Sequence, residues 1–239
     1  MPKSSGALIR SGSGALKKYY KQRSAEYDDI YKLRRRQADL AGLRRWVTRH
    51  VKGKSVLEIA AGTGYWTQVC SRSARLVVAT DYNADTLAVA AGRRLGSNVS
   101  LVTADAFRLP AFDTKFEVGI AMLWWSHLRQ REQGKFIAQV LSRLEPGAKL
   151  LLVDEVYRKN SAKNPISRHD RFGDRYEIRV GRDNSLYEIV KNYPADDDLR
   201  HSLSEYCDRV RITRLTHFWA VSARIKVNSP VRRIGPRSN

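Results

Sequence analysis

Apolar and polar positions alternate in blocks along the chain, and the blocks fall into two kinds. Short continuous apolar runs occur at Val56–Ile59, Arg75–Asp81, Val99–Thr103, Phe116–Ala121 and Lys149–Asp154. Runs of that length, rich in Val, Ile and Leu and bounded by Gly, Asp or Asn, predict strands buried on both faces. Between them lie stretches with helical spacing. Leu40, Leu43, Trp46 and Val47 predict a helix over about Gln37–His50, and Asn83 can cap one running to about Leu95. Phe136, Ile137, Val140, Leu141 and Leu144 share the face of another that Pro146-Gly147 should stop. Five strands alternating with helices predict an α/β chain with a doubly wound, Rossmann-like, mostly parallel sheet.

The C-terminal third is patterned differently. Tyr176–Val180 and Leu186–Val190 flank Gly181-Arg182-Asp183-Asn184-Ser185, which predicts a β-hairpin inserted after the fifth strand. A helix over about Ala195–Tyr206 follows, then two strands, Arg209–Leu215 and Phe218–Ile225, joined by a very short turn. The polar stretch Tyr157–Asp174 predicts a mobile loop. Residues 1–14 and 228–239 have the composition of mobile tails, the second of them basic. This leaves a single domain over 15–227, with a helical segment at 15–50 and an insertion at 156–206.

The first strand runs into the densest small-residue turn of the chain, Glu58-Ile59-Ala60-Ala61-Gly62-Thr63-Gly64. Small residues at a strand-to-helix junction let backbone pass close to a ligand, and the free N–H groups of the next helix favour electron-rich atoms. A nicotinamide site would need G-x-G-x-x-G, and the frame beginning at Gly62 puts Thr67 at the last position. The stretch instead resembles the first motif of class I S-adenosylmethionine (SAM) methyltransferases, an acid followed by G-x-G-x-G. Glu58 stands at the acid, Gly62 and Gly64 at the later glycines, and Ala60 at the first, where it restricts φ.

That resemblance implies SAM as cofactor and assigns several residues to it. Asp81, ending the second strand, would take the ribose hydroxyls with Tyr82 beside it, and Asp105, with Ala106 and Phe107, the adenine. Glu58 would orient the loop formed by Ala60, Ala61, Gly62 and Gly64, and the chain at Met122 would close the shell. Tyr19-Tyr20-x-x-Arg23-x-x-Glu26-Tyr27-Asp28-x-x-Tyr31 is similar to the N-terminal segment of small-molecule methyltransferases related to the ubiquinone/menaquinone biosynthesis group. There it forms a lid, which implies one helix over Ala15–Tyr31 with Tyr19 and Tyr27 on the cofactor. The closing strand pair is similar to the one that completes class I sheets, so the expectation is seven strands with an antiparallel last one.

Ligands of such sheets gather at the carboxyl ends of the strands. The acceptor is therefore expected near Tyr31, Trp124, Trp125 and Glu155, with His127 as a candidate general base because of its unperturbed pKa. The missing N/D-P-P-Y/F/W turn after the fourth strand disfavours adenine and glutamine amino groups. Neither Cys70 nor Cys207 lies where a pyrimidine-methylating nucleophile would. A small acidic or aromatic molecule, methylated on O, N or C, fits best.

Charge sharpens this picture only in part. The net charge is +20, and residues 55–155 carry 11 Lys+Arg against 10 Asp+Glu, so the excess sits on the two flanks. Such flanks could track phosphates, which keeps an RNA, ribosomal or protein acceptor open, as it does a non-catalytic SAM-binding module. No apolar run is long enough for a membrane span, no signal-peptide pattern begins the chain, and no Cys/His cluster has metal spacing. A cytoplasmic protein without a metal and with two inert thiols is the expectation.

Overall fold

The computed structural model describes residues 8–10, 13–23, 27–158 and 166–227. Its centre is a seven-stranded sheet built from β2 (Ser55–Ile59), β3 (Leu76–Asp81), β4 (Val99–Thr103), β5 (Phe116–Met122), β6 (Leu144–Glu155), β10 (Cys207–Arg214) and β11 (Phe218–Ile225). The order is β10-β11-β6-β5-β2-β3-β4, and β11 runs antiparallel to both of its neighbours. All five residues of β2 are buried because helices cover both faces.

Alternation along the strands sorts side chains between the two faces. Val56, Val77, Ile120 and Leu151 pack with Leu40, Leu43 and Val47 of α3 (Gln37–Val51) and with Trp66 of α4 (Tyr65–Ser71). Leu57, Ile59, Leu150 and Leu152 pack with Phe136, Ile137 and Val140 of α6 (Gln130–Leu141) and with Leu199 and Leu203 of α7 (Asp196–Ser204). Each such aliphatic side chain contributes about 1.5–3 kcal/mol when taken out of water. The expected doubly wound fold, with its antiparallel closing strand, is thus present.

A second, four-stranded sheet caps the carboxyl ends of the first. Its order is β1 (Leu8–Ile9), β9 (Leu186–Val190), β8 (Arg175–Val180) and β7 (Ile166–His169). The expected hairpin is the β8–β9 pair. Asp174, just before it, accepts the Gln130 N–H at 2.9 Å and so satisfies an orphan donor at the start of α6. α1 (Ser13–Arg23) lies on this cap, with Tyr19 and Tyr187 ring centroids 5.9 Å apart.

Several expectations are corrected. Leu8–Ile9 form a strand parallel to β9 rather than part of a mobile tail; residues 1–7 and 11–12 and the basic tail 228–239 lie outside the described residues. The single helix over Ala15–Tyr31 is two, α1 and α2 (Asp29–Lys32), because Asp28 between them turns down to the glycine loop and accepts the Thr63 hydroxyl at 2.5 Å. The helix after Asn83 is α5 (Ala84–Ala91), shorter than expected. Its start is held by Asp81, whose Oδ1 accepts the Asn83 N–H at 2.8 Å, and the Asn83 side chain does not cap it. α6 ends at Leu141, and Pro146-Gly147 sit in β6 where the ladder to β5 slips, so the missing proline N–H costs no regular bond. Tyr157–Asp174 contains the strand β7.

Candidate active site

Two cavities adjoin at the carboxyl ends of β2, β3, β5 and β6, between the large sheet and its cap. The first, about 350 Å³, is lined by Ala60 and Gly62, by Asp81 and Tyr82, by Asp105, Ala106 and Phe107, and by Leu123 and Trp124. Leu16, Lys17 and Tyr20 of α1, Tyr27, and Glu188–Val190 of β9 cover it. The Gly62 N–H donates to Asp81 Oδ2 at 2.8 Å, which ties the glycine loop to the end of β3. Burial pushes the Asp81 carboxyl above its usual range against the opposing pull of four hydrogen bonds. Asp105 accepts the Phe107 N–H at 2.8 Å and so shapes its own loop. Lys17 Nζ stands 4.1 Å from the Tyr82 ring centroid, laying α1 over this edge.

Backbone conformation explains the small residues here. Ala60 and Leu123 both have positive φ, 54° and 60°, a conformation costing L-residues about 1–2 kcal/mol. Such outliers concentrate where a chain must turn away from a ligand. Gly64 shares this conformation, with φ at 78°, and a Cβ there would in addition lie 2.7 Å from the Ala90 Cβ of α5.

The second cavity, about 310 Å³, is strongly cationic. Arg23, Arg35, Arg36, Arg158, Arg179 and Lys191 line it against the carboxylates of Asp29, Glu155 and Glu177. Lys191 Nζ donates to Ser126 Oγ at 2.7 Å and lies 3.3 Å from Asp154 and 3.2 Å from Glu155. Arg36 Nη2 donates to Glu155 at 2.6 Å, while its Nε and Nη1 are buried with no hydrogen-bond partner among the described residues. Burial pushes Glu155 up, but Lys191 and Arg36 outweigh it and hold the carboxyl at about 2. Glu177 accepts from Arg179 at 2.5 Å and from the Tyr193 hydroxyl at 2.6 Å.

Most of the expected site residues meet at these cavities, and several do not. Glu58 is buried behind the loop, where it accepts the Thr67 hydroxyl at 2.6 Å; burial raises its carboxyl to about 8, so it braces α4 and lines neither cavity. Ala61 and Gly64 also stand back from the lining, and Met122 points into the core, leaving its place to Leu123. Tyr19 faces the second cavity and Tyr27 both. Tyr31 lines neither, because it stacks on Tyr65 at 3.7 Å. Trp124 lines the first cavity rather than the second, whereas Trp125 is core, packed on Phe136. His127 lines both cavities, yet burial, then Lys191 and Arg179, holds it well below its ordinary pKa, which makes it a weak base. Arg36, Arg179, Lys191 and Tyr193 escaped the sequence reading; the signal was a charged residue directly after the apolar run Ile189-Val190.

Comparison with known proteins bears on this arrangement. Residues 56–147 match the family described as methyltransferase domain. The chain is 27% identical over 140 residues to a demethylmenaquinone methyltransferase of Renibacterium salmoninarum, covering 55% of this chain and 57% of the relative. It is 25% identical over 137 residues to an uncharacterized methyltransferase of Staphylococcus carnosus, covering 57% and 64%. The match thus spans less than two thirds of these curated relatives. Among solved structures, a DhpI–SAH complex superposes with a TM-score of 0.74 at 25% identity over 89% of this chain and 96% of that one. A DhpI–SAM–HEP complex gives 0.72 at 24% over 90% and 99%.

The fold, the family match over residues 56–147 and the cleft all resemble those of class I SAM-dependent methyltransferases. The two DhpI structures are complexes with SAH and with SAM. The first cavity fits that cofactor chemically. It offers a glycine-loop backbone, carboxylates at two strand ends and apolar walls between them. Among the described residues no helix is long and apolar enough to cross a membrane, and no group of three or more His, Cys, Asp or Glu is placed to hold a metal ion.

Proposed function

We propose that the chain methylates an anionic small molecule, with the donor in the first cavity and the acceptor in the second. Asp81 would accept the ribose hydroxyls, Asp105 and Phe107 would hold the adenine, and Ala60 and Gly62 would pass the methionine end. SAM supplies an electrophilic methyl on a sulfonium, so the protein's part is to hold the acceptor in line and exclude water. The observation that carries the acceptor class is the cationic lining of the second cavity, where six Arg and Lys side chains stand against three carboxylates. An oxyanion seated there would be held by charge-assisted hydrogen bonds, which are stronger than those a neutral acceptor can form. An already ionised oxygen also needs no general base, in keeping with the weakened basicity of His127.

The test is transfer of labelled methyl from SAM across matched panels of carboxylate and phospho-oxyanion acceptors and their neutral amides or alcohols. Turnover confined to the anionic members, and lost in Arg36→Ala with SAM affinity retained, is expected. Turnover on neutral acceptors, or on RNA alone, would overturn the acceptor class.

A further inference from the structure

Four side chains line both cavities: Tyr20, Tyr27, Leu123 and His127. In a direct displacement the donor sulfur, the moving carbon and the incoming atom lie close to one line, so the shared wall flanks the methyl in flight. Within that wall the polar atoms of Tyr20 and His127 are locked together. The Tyr20 hydroxyl lies 2.7 Å from His127 Nε2, and His127 Nδ1 lies 2.8 Å from the Val190 carbonyl oxygen.

A carbonyl oxygen only accepts, so Nδ1 carries the imidazole proton and Nε2 is bare. Tyr20 must then donate its hydroxyl hydrogen to Nε2. Burial, then the charges of Lys191 and Arg179, keeps the ring neutral against the opposing pulls of the Val190 carbonyl and Glu155. With its hydrogen committed to His127, the Tyr20 oxygen keeps its lone pairs free of that bond, and Tyr20 itself lies on the wall between the two cavities. Neutral His127 therefore aims an oxygen and does not serve as the base.

We propose that Tyr20 is a catalytic residue whose hydroxyl oxygen, aimed by His127, faces the positively charged methylsulfonium of the donor; this rests on the cavity assignment above. SAM carries that charge, and its demethylated product S-adenosylhomocysteine (SAH) does not. The oxygen therefore distinguishes the two ligands, which a residue that merely packs the lid would not do.

Calorimetric titration of SAM and of SAH into the full chain tests this without any acceptor. Tyr20→Phe keeps the ring and removes only the oxygen. The expected result is a roughly 2–10-fold loss of SAM affinity, the range for one neutral hydrogen bond, with SAH affinity held within about twofold. His127→Phe, which deletes the bare nitrogen and releases the hydroxyl, should lower the SAM-to-SAH affinity ratio in the same direction by less. Equal losses for both ligands, or none, in folded Tyr20→Phe would overturn the role of Tyr20. Failure of the wild-type chain to bind either ligand would instead overturn the cavity assignment beneath it.

Discussion

The two sheets of this molecule are built on different chemistry. In the seven-stranded sheet the central strands are apolar and covered on both faces, and the one carboxylate within β2, Glu58, meets no cation and is raised to about 8, chiefly by burial and against the pull of the Thr67 hydroxyl. In the four-stranded cap the buried positions include Glu177 and Glu188, with Lys191 just beyond β9, and each is paired with an opposite charge. Where the cap meets the large sheet, Glu155 ends the neighbouring strand β6 and is held at about 2 by Lys191 and Arg36, which overcome its burial. The same residue type thus titrates oppositely at two strand ends. What differs is whether the cap and the turn before α3 deliver a cation. The large sheet specifies the fold, and the cap brings charge to its carboxyl ends.

Breaking the large sheet should have the largest effect. Trp125→Ala removes a fully buried ring from the packing on α6 and should cost about 3–5 kcal/mol in denaturant unfolding. Asp81→Ala acts at the edge of that sheet on binding. Calorimetry should show SAM affinity weakened by about 1.5–3 kcal/mol, the range for losing charge-assisted hydrogen bonds.

Glu58→Gln sharpens the contrast between the glutamates through pH. A carboxyl raised in the folded state binds more protons there than in the unfolded chain. Its stabilising contribution is therefore full below the unfolded pKa and is lost as pH rises toward about 8. The wild type should lose stability between about pH 4.5 and 8, and Glu58→Gln should flatten that slope. Glu155 has the opposite sign. Its contribution is present at neutral pH and disappears only as pH falls toward about 2. The smallest effect belongs to Ala60→Gly. Relief of a positive φ is offset by the greater freedom of glycine in the unfolded chain, so thermal unfolding should shift stability by less than about 1 kcal/mol.

The same contrast explains what the sequence could say. Buried parallel strands announce themselves as apolar runs, and β2 to β5 fall within one or two residues of where those runs place them. The glycine loop and the carboxylates Asp81 and Asp105 follow because strand ends are local features. Met122 was one residue out, since the turn of Leu123 into positive φ has no signature in a Met-Leu-Trp-Trp string. Trp124 and Trp125 read alike in sequence but part company in space, one at the cavity and one in the core. The cationic cavity was illegible for a deeper reason. Arg36 meets Glu155, and Lys191 meets Ser126, across 119 and 65 residues, and no periodicity reports pairs made between segments so far apart in the chain. β1 is two residues long, too short for any pattern to mark.

We propose that donor and acceptor occupy two adjoining cavities of opposite character. A crystal structure of the chain with SAH tests it most directly. The expected structure has the ribose hydroxyls on Asp81, the adenine against Asp105–Phe107, and the cavity of Arg36 and Lys191 left clear of the cofactor. SAH seated among the arginines, or bound without touching Asp81, would contradict it.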